Sequence, residues 1–117
     1  MNKPKRVIYM RRTSVNIYTE QEKENHERAF FDELYRQLST IGIKSIGVKE
    51  MSDKTLNLTY NGMQFGRVKF SRRGHTIQTL TYSKVTWKKN ITIEMLLNSI
   101  PKLVKYAMSL KRHERIL

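Results

Sequence analysis

Arg67, Lys69, Arg72, Arg73, His75, Lys84, Lys88 and Lys89 crowd into residues 67–89 of a 117-residue chain. Phosphate oxygens call for cations at about this density, and each phosphate neutralised releases counterions. Arg72-Arg73 stand just before Gly74 in a turn-like stretch. There a hairpin tip can carry two guanidinium forks into a groove. A blander reading is open for each residue, because sheet edges are often blunted with Lys and Arg. Trp87 sits between Thr86 and Lys88-Lys89, with Tyr82 five residues earlier. Aromatic rings among cations suit base stacking on a single strand, although a lone Trp also serves as core or lid.

A second basic group lies at the N-terminus, where Lys5, Arg6, Arg11 and Arg12 stand with Tyr9 and Tyr18. Residues 1–18 hold five bases and no acid, so they read as a cationic arm with too few apolar groups to order alone. The other possibility is that Val15–Tyr18 adds a short strand.

Catalytic patterns are missing. His26, His75 and His113 fall in separate elements with no paired metal-ligand spacing. There is no phosphate-binding glycine loop and no nucleophile elbow. Asp32, Glu50 and Asp53 would need an enclosing pocket to act as acid and base. The chain therefore reads as a binding protein, not an enzyme, with no cofactor and no metal.

Composition agrees with a polyanionic partner. The formal charge is +13, from 23 Lys and Arg against 10 Asp and Glu, and such an excess speaks to partners more than to fold. The charge is also segregated. Residues 19–42 are acidic at −3, whereas residues 43–91 carry ten bases against Glu50 and Asp53. Cysteine is absent, which removes disulfides and thiolate metal sites. No apolar run approaches the roughly 20 residues of a membrane span, and Val7–Met10 is too short for a signal-peptide core. The expected setting is cytoplasmic, without a membrane.

The elements that would position these residues are legible. Thr19-Glu20-Gln21-Glu22 fits a capping box, and Phe30, Phe31, Leu34, Tyr35, Leu38 and Ile41 follow at helical spacing up to a stop at Gly42. The acids of this helix thus have a structural explanation. Residues 43–87 read as strands: Leu56, Leu58 and Tyr60 alternate with polar residues before Asn61-Gly62, a strong hairpin signal. That turn sets Tyr60 against Met63 and Leu58 against Phe65. Val68 and Phe70 then fall on the wrong face unless Gly66 marks a bulge. Residues 43–50 form a weaker first strand, and 76–86 a β-branched one.

A closing apolar stripe runs from Ile93 through Leu96, Leu97, Ile100, Leu103, Val104, Ala107 and Met108. Pro101 either kinks this helix or begins a new one after Asn98-Ser99, and the stripe continuing in phase favours the kink. The expected fold is α+β: a basic arm over 1–18, then a single domain over 19–117. That domain has a helix, a three- or four-stranded antiparallel sheet and a helix, with one sheet face under the helices.

The order helix, three strands, helix resembles the double-stranded-RNA-binding domain. That family's second helix has a basic start, whereas here Lys88-Lys89 precede Asn90-Ile91-Thr92 and the helix opens with Glu94. None of its residues are carried over. The layout also resembles small basic phage-encoded anti-CRISPR proteins: a Lys/Arg/Tyr-rich arm over 3–18, a charged helix over 20–41, a hairpin region over 55–84 and a closing helix over 93–110. That likeness covers most of the chain as layout. It implies an inhibitor that engages a guide-RNA–effector nucleoprotein. Two functions are thus expected, a nucleic-acid-binding module of RNA or DNA and, as the alternative, a phage-type inhibitor of such a complex.

Overall fold

The computed structural model describes residues 17–116, with side chains as far as His113. Lys5, Arg6, Arg11 and Arg12, and most of the arm expected over 1–18, lie outside the described residues.

Helix α1 spans Glu20–Thr40 and begins at the expected box. The Glu22 amide donates to the Thr19 hydroxyl at 3.0 Å, and the Thr19 amide donates to the Glu22 carboxylate at 2.8 Å. Two otherwise orphaned donors are satisfied reciprocally, which fixes where the helix starts. It stops at Ile41-Gly42 because Gly42 takes a left-handed φ of 83°. Lys111 then donates to the exposed end of the helix at the Ile41 carbonyl, 2.7 Å away.

Five strands follow, one more than the upper expectation: β1 Gly47–Glu50, β2 Leu56–Tyr60, β3 Met63–Lys69, β4 His75–Leu80 and β5 Val85–Ile91. The extra strand arises because the β-branched run expected over 76–86 folds back at residues 81–84. Thr81 and Lys84 exchange backbone hydrogen bonds there. The strands form one antiparallel meander in the order β1-β2-β3-β4-β5. Short turns between sequential strands favour this arrangement.

The β2–β3 turn is the expected Asn61-Gly62, with both residues at positive φ (50° and 80°), and Tyr60 pairs with Met63. The register then shifts between Leu58 and Thr59. Leu58 opposes Gly66, not Phe65, and Phe65 becomes the extra residue of a bulge. Two consecutive residues, Phe65 and Gly66, are therefore buried, and Val68 returns to the core.

At Pro101 the favoured kink gives way to a break between two helices. Helix α2, Ile93–Asn98, is capped by Thr92 and ends at Ser99, and α3, Ile100–Ile116, restarts with Pro101 in its first turn. A proline there lacks only an amide that would have no partner anyway. Helix α3 packs on β2, β3 and β4, α2 packs on β4, and both meet α1. Phe30, Leu34, Leu38, Leu58, Phe65, Val68, Ile77, Leu96, Ile100, Leu103 and Ala107 fill the layer between helices and sheet. Among the described residues, no helix is long and apolar enough to cross a membrane.

Gly66 lies directly under Leu103 of α3. A Cβ there would run into the Leu103 side chain and stand 3.1 Å from the Gln78 carbonyl oxygen. Gly66→Ala should therefore lower stability by about 1–3 kcal/mol through overpacking. The denaturant midpoint should fall with an unchanged slope.

Candidate functional site

Among the described residues, all the helices lie on one side of the sheet and leave its other face bare. Residues directly opposed across an antiparallel ladder share a face. The register therefore aligns Lys49, Asn57, Arg67, Gln78 and Trp87 in one row across all five strands. At about 4.8 Å per strand the row is roughly 19 Å long. Beside it, Lys69 opposes Thr76, with Lys89 on the neighbouring β5. On the other flank the Gln64 amide donates to the Gln78 side-chain oxygen at 2.9 Å. The alternation of Leu56 and Leu58 with Asn57 and Thr59 is the local cause: apolar residues go under the helices and polar ones to the bare face.

Four cations thus share this face: Lys49, Arg67, Lys69 and Lys89. Arg67 Nε and Asn57 Oδ1, neighbours at the centre of the row, are buried without a hydrogen-bond partner. Trp87 ends the row on an edge strand and keeps 42% of its surface exposed. It is neither core nor covered by a helix. A hollow of about 420 Å³ opens beside it, lined by Asp53, Thr55, Lys69, Thr76, Trp87 and Lys89. Asp53 Oδ1 accepts from the Thr55 amide at 3.0 Å and from the Thr55 hydroxyl at 2.6 Å. Those bonds, with a smaller effect from the Arg67 charge, hold its carboxyl below the usual range.

Of the residues expected to form the site, Arg67, Lys69, Trp87 and Lys89 come together on this face. Lys84 is exposed in the β4–β5 turn, and Lys88 is exposed on the side of β5 facing the helices, paired with Ile77. Arg73 is exposed in the β3–β4 turn. Arg72 is engaged elsewhere: its Nε donates to the Tyr18 carbonyl at 2.8 Å, and its own carbonyl accepts from the Tyr18 amide at 2.6 Å. Only Arg73 of the pair is left free of that clasp. Asp53 reads in the sequence only as a carboxylate in want of a pocket, and Lys49, Asn57, Gln64 and Gln78 are not singled out there. Their signal, polar positions at period two, shows which face they share only once the bulge fixes the register.

His75 is a correction. It is fully buried and unable to meet a ligand at the surface. Tyr18 stacks on its ring at 5.3 Å, Phe70 meets it edge-on, and its Nε2 lies 2.9 Å from His26 Nδ1. The Ser71 amide donates to its Nδ1 at 3.3 Å. With Nδ1 accepting, Nε2 carries the proton and donates to His26 Nδ1.

A hollow of about 770 Å³ lies beside this clasp. It interleaves Glu20, Glu27 and Glu50 with its bases, which weakens it as a phosphate site. Among the described residues, no three His, Cys, Asp or Glu side chains are grouped to hold a metal.

No protein-family model, curated protein or solved structure matches this chain.

Burial, with the nearby His26 and Lys23 charges adding to it, pushes His75 down to about 4 from an ordinary value of 6.5. Between those values the unfolded chain binds a proton that the folded chain refuses. Stability is thus complete above about pH 6.5 and is lost as pH falls toward 4, by on the order of 3 kcal/mol. Urea unfolding across that range should show the slope, and His75→Gln should flatten it.

Proposed function

We propose that this chain binds nucleic acid through the bare face of its sheet, by contact with the phosphate backbone, and acts as a binding protein and not as an enzyme. The observation that carries the reading is the cross-strand row ending at Trp87, with four cations held on a rigid sheet. A strand lattice keeps charges at fixed spacing, so the entropy of ordering them is already spent before the ligand arrives. The partner class is RNA or DNA, and the setting suggested by the chain's layout is a phage or mobile element.

A second reading has one observation behind it. Helix α1 exposes Glu20, Glu24 and Asp32, with Tyr35 43% exposed on the same helix. This acidic surface, opposite in sign to the rest of the chain, would suit an inhibitor that docks on the basic protein part of a guide-RNA–effector complex.

If Lys49, Arg67, Lys69 and Lys89 each contact one phosphate, the logarithm of affinity should fall with the logarithm of salt at a slope of about −3 to −4. Replacing Lys69 and Lys89 together with Ala should flatten that slope by about 1.4–1.8. The pair Lys102→Ala and Lys105→Ala on α3 serves as the control and should leave it unchanged. Filter binding at several salt concentrations reads both. Failure of every polynucleotide to bind at low salt, with nuclease-resistant capture of a protein partner that charge reversal on α1 abolishes, would put the inhibitor reading first.

A further inference from the structure

We infer that the hollow beside Trp87 receives one unpaired nucleobase of a single strand, selects guanine through Asp53, and holds the flanking phosphates on Lys69 and Lys89. This rests on the nucleic-acid reading above and narrows it from any polyanion to a single strand with an exposed guanine.

The shape comes first. At about 420 Å³ the hollow falls within the range of small-ligand pockets, about 300–1,000 Å³. One wall is the Trp87 indole, on a strand that no helix covers. An open indole offers a stacking surface to any base that is free of its own helix. A duplex keeps its bases stacked inside, so it would meet the sheet only through phosphates and leave the hollow empty. Lys69 and Lys89 share the lining on β3 and β5, and Thr76 lies between them on β4. A backbone crossing the hollow would find a cation on either side.

Asp53 then decides between ligands. A carboxylate in a pocket for phosphate alone would work against binding. Its presence between cations fits a ligand that presents N–H donors at that point. Both Thr55 hydrogen bonds fall on Oδ1, so Thr55 leaves Oδ2 unengaged. The carboxyl is held below its ordinary range and stays ionised at neutral pH, where it can only accept. Guanine is the base with two adjacent N–H donors on one edge, the ring imino and the exocyclic amino group. It can therefore bond a carboxylate in bidentate fashion. Adenine and cytosine set a single amino group beside an acceptor, and uracil or thymine flanks its imino group with two carbonyls that a carboxylate repels. Capping of the β1–β2 turn accounts for Oδ1, and the same carboxylate lines the hollow, where Oδ2 would meet the ligand.

The test uses the full chain, whose single tryptophan makes intrinsic fluorescence a direct reporter of Trp87. Three probes are titrated at low salt: a short oligothymidylate with one central guanine, the same strand with adenine in that place, and the duplex of the first. The guanine strand should quench the fluorescence and bind about tenfold more tightly than the adenine strand, the scale of one good bidentate contact. The duplex should bind without comparable quenching. Trp87→Ala should weaken single-strand binding about tenfold or more, while Trp87→Phe should keep most of it. Asp53→Asn retains an oxygen for Thr55. It should erase the guanine preference and leave the adenine strand bound as well or better.

Equal affinity for the two strands, with Asp53→Asn silent, overturns the guanine selection. Saturable, salt-dependent binding of all three probes without quenching overturns the base pocket and leaves phosphate binding intact. Absence of binding by any probe overturns both readings. The quench needs no variant, so a Trp87→Ala protein that failed to fold would not remove the test.

Discussion

The separation of two chemistries onto the two faces of the sheet depends on the bulge at Phe65. In a strand the side chains alternate strictly, so a slip of one residue sends every later side chain to the opposite face. Without the bulge, the register set at Asn61-Gly62 would bury Arg67 and Lys69 under α3 and expose Val68. With it, Phe65 and Gly66 both go inward, Leu58 settles over Gly66, and α3 can approach through Leu103. One inserted residue thus completes the core and delivers two cations to the bare face.

Coverage on one side only is the second constraint. Helix α3 spans the middle strands, and α2 and α1 complete a single layer. Nothing in the described chain packs on the far face, which therefore has to be soluble by itself. Asn57, Thr59, Gln64, Arg67, Lys69 and Thr76 make it so. The same requirement explains a polar sheet surface in any two-layer protein, and polarity alone would not argue for a ligand. What goes beyond that requirement is the half-exposed indole of Trp87, the hollow beside it, and polar atoms of Arg67 and Asn57 that no neighbour satisfies. Exposed aromatic area and unmet buried polar atoms each carry a cost in stability that solubility does not require.

Charge is divided in the same way. The acids of α1 stabilise its N-terminal end and cap its first turn, although Glu20 and Glu27 share a hollow with Lys69 at one end of the sheet. At the junction of α1 with the β3–β4 turn, the chain instead uses packed rings: Tyr18 on His75, and His75 on His26. Arg72 closes the clasp through backbone contacts at Tyr18, so one guanidinium of an adjacent pair acts in folding while the other faces water.

The sequence by itself determined the elements whose causes are local. The Thr19–Glu22 box, the left-handed stop at Gly42, the Asn61-Gly62 turn and the apolar periods of α1 and α3 are each decided within a few residues, and each formed as its chemistry dictates. Strong net basicity was equally legible, since charge needs no fold to be counted. Tertiary structure alone decided the rest, because it depends on contacts between distant residues. Whether Phe65 or Gly66 opposes Leu58 turned on the fit of α3 to the sheet, and Pro101 restarts a helix because α2 and α3 pack at different places on it. His75 reads as a surface base in sequence and is a core ring in space, because His26, 49 residues away, and Tyr18 close over it. Lys49, Asn57, Arg67, Gln78 and Trp87 are scattered over residues 49–87 and become one row only when five strands align. Registration across a sheet is a property of the assembled ladder, and no window of the sequence contains it.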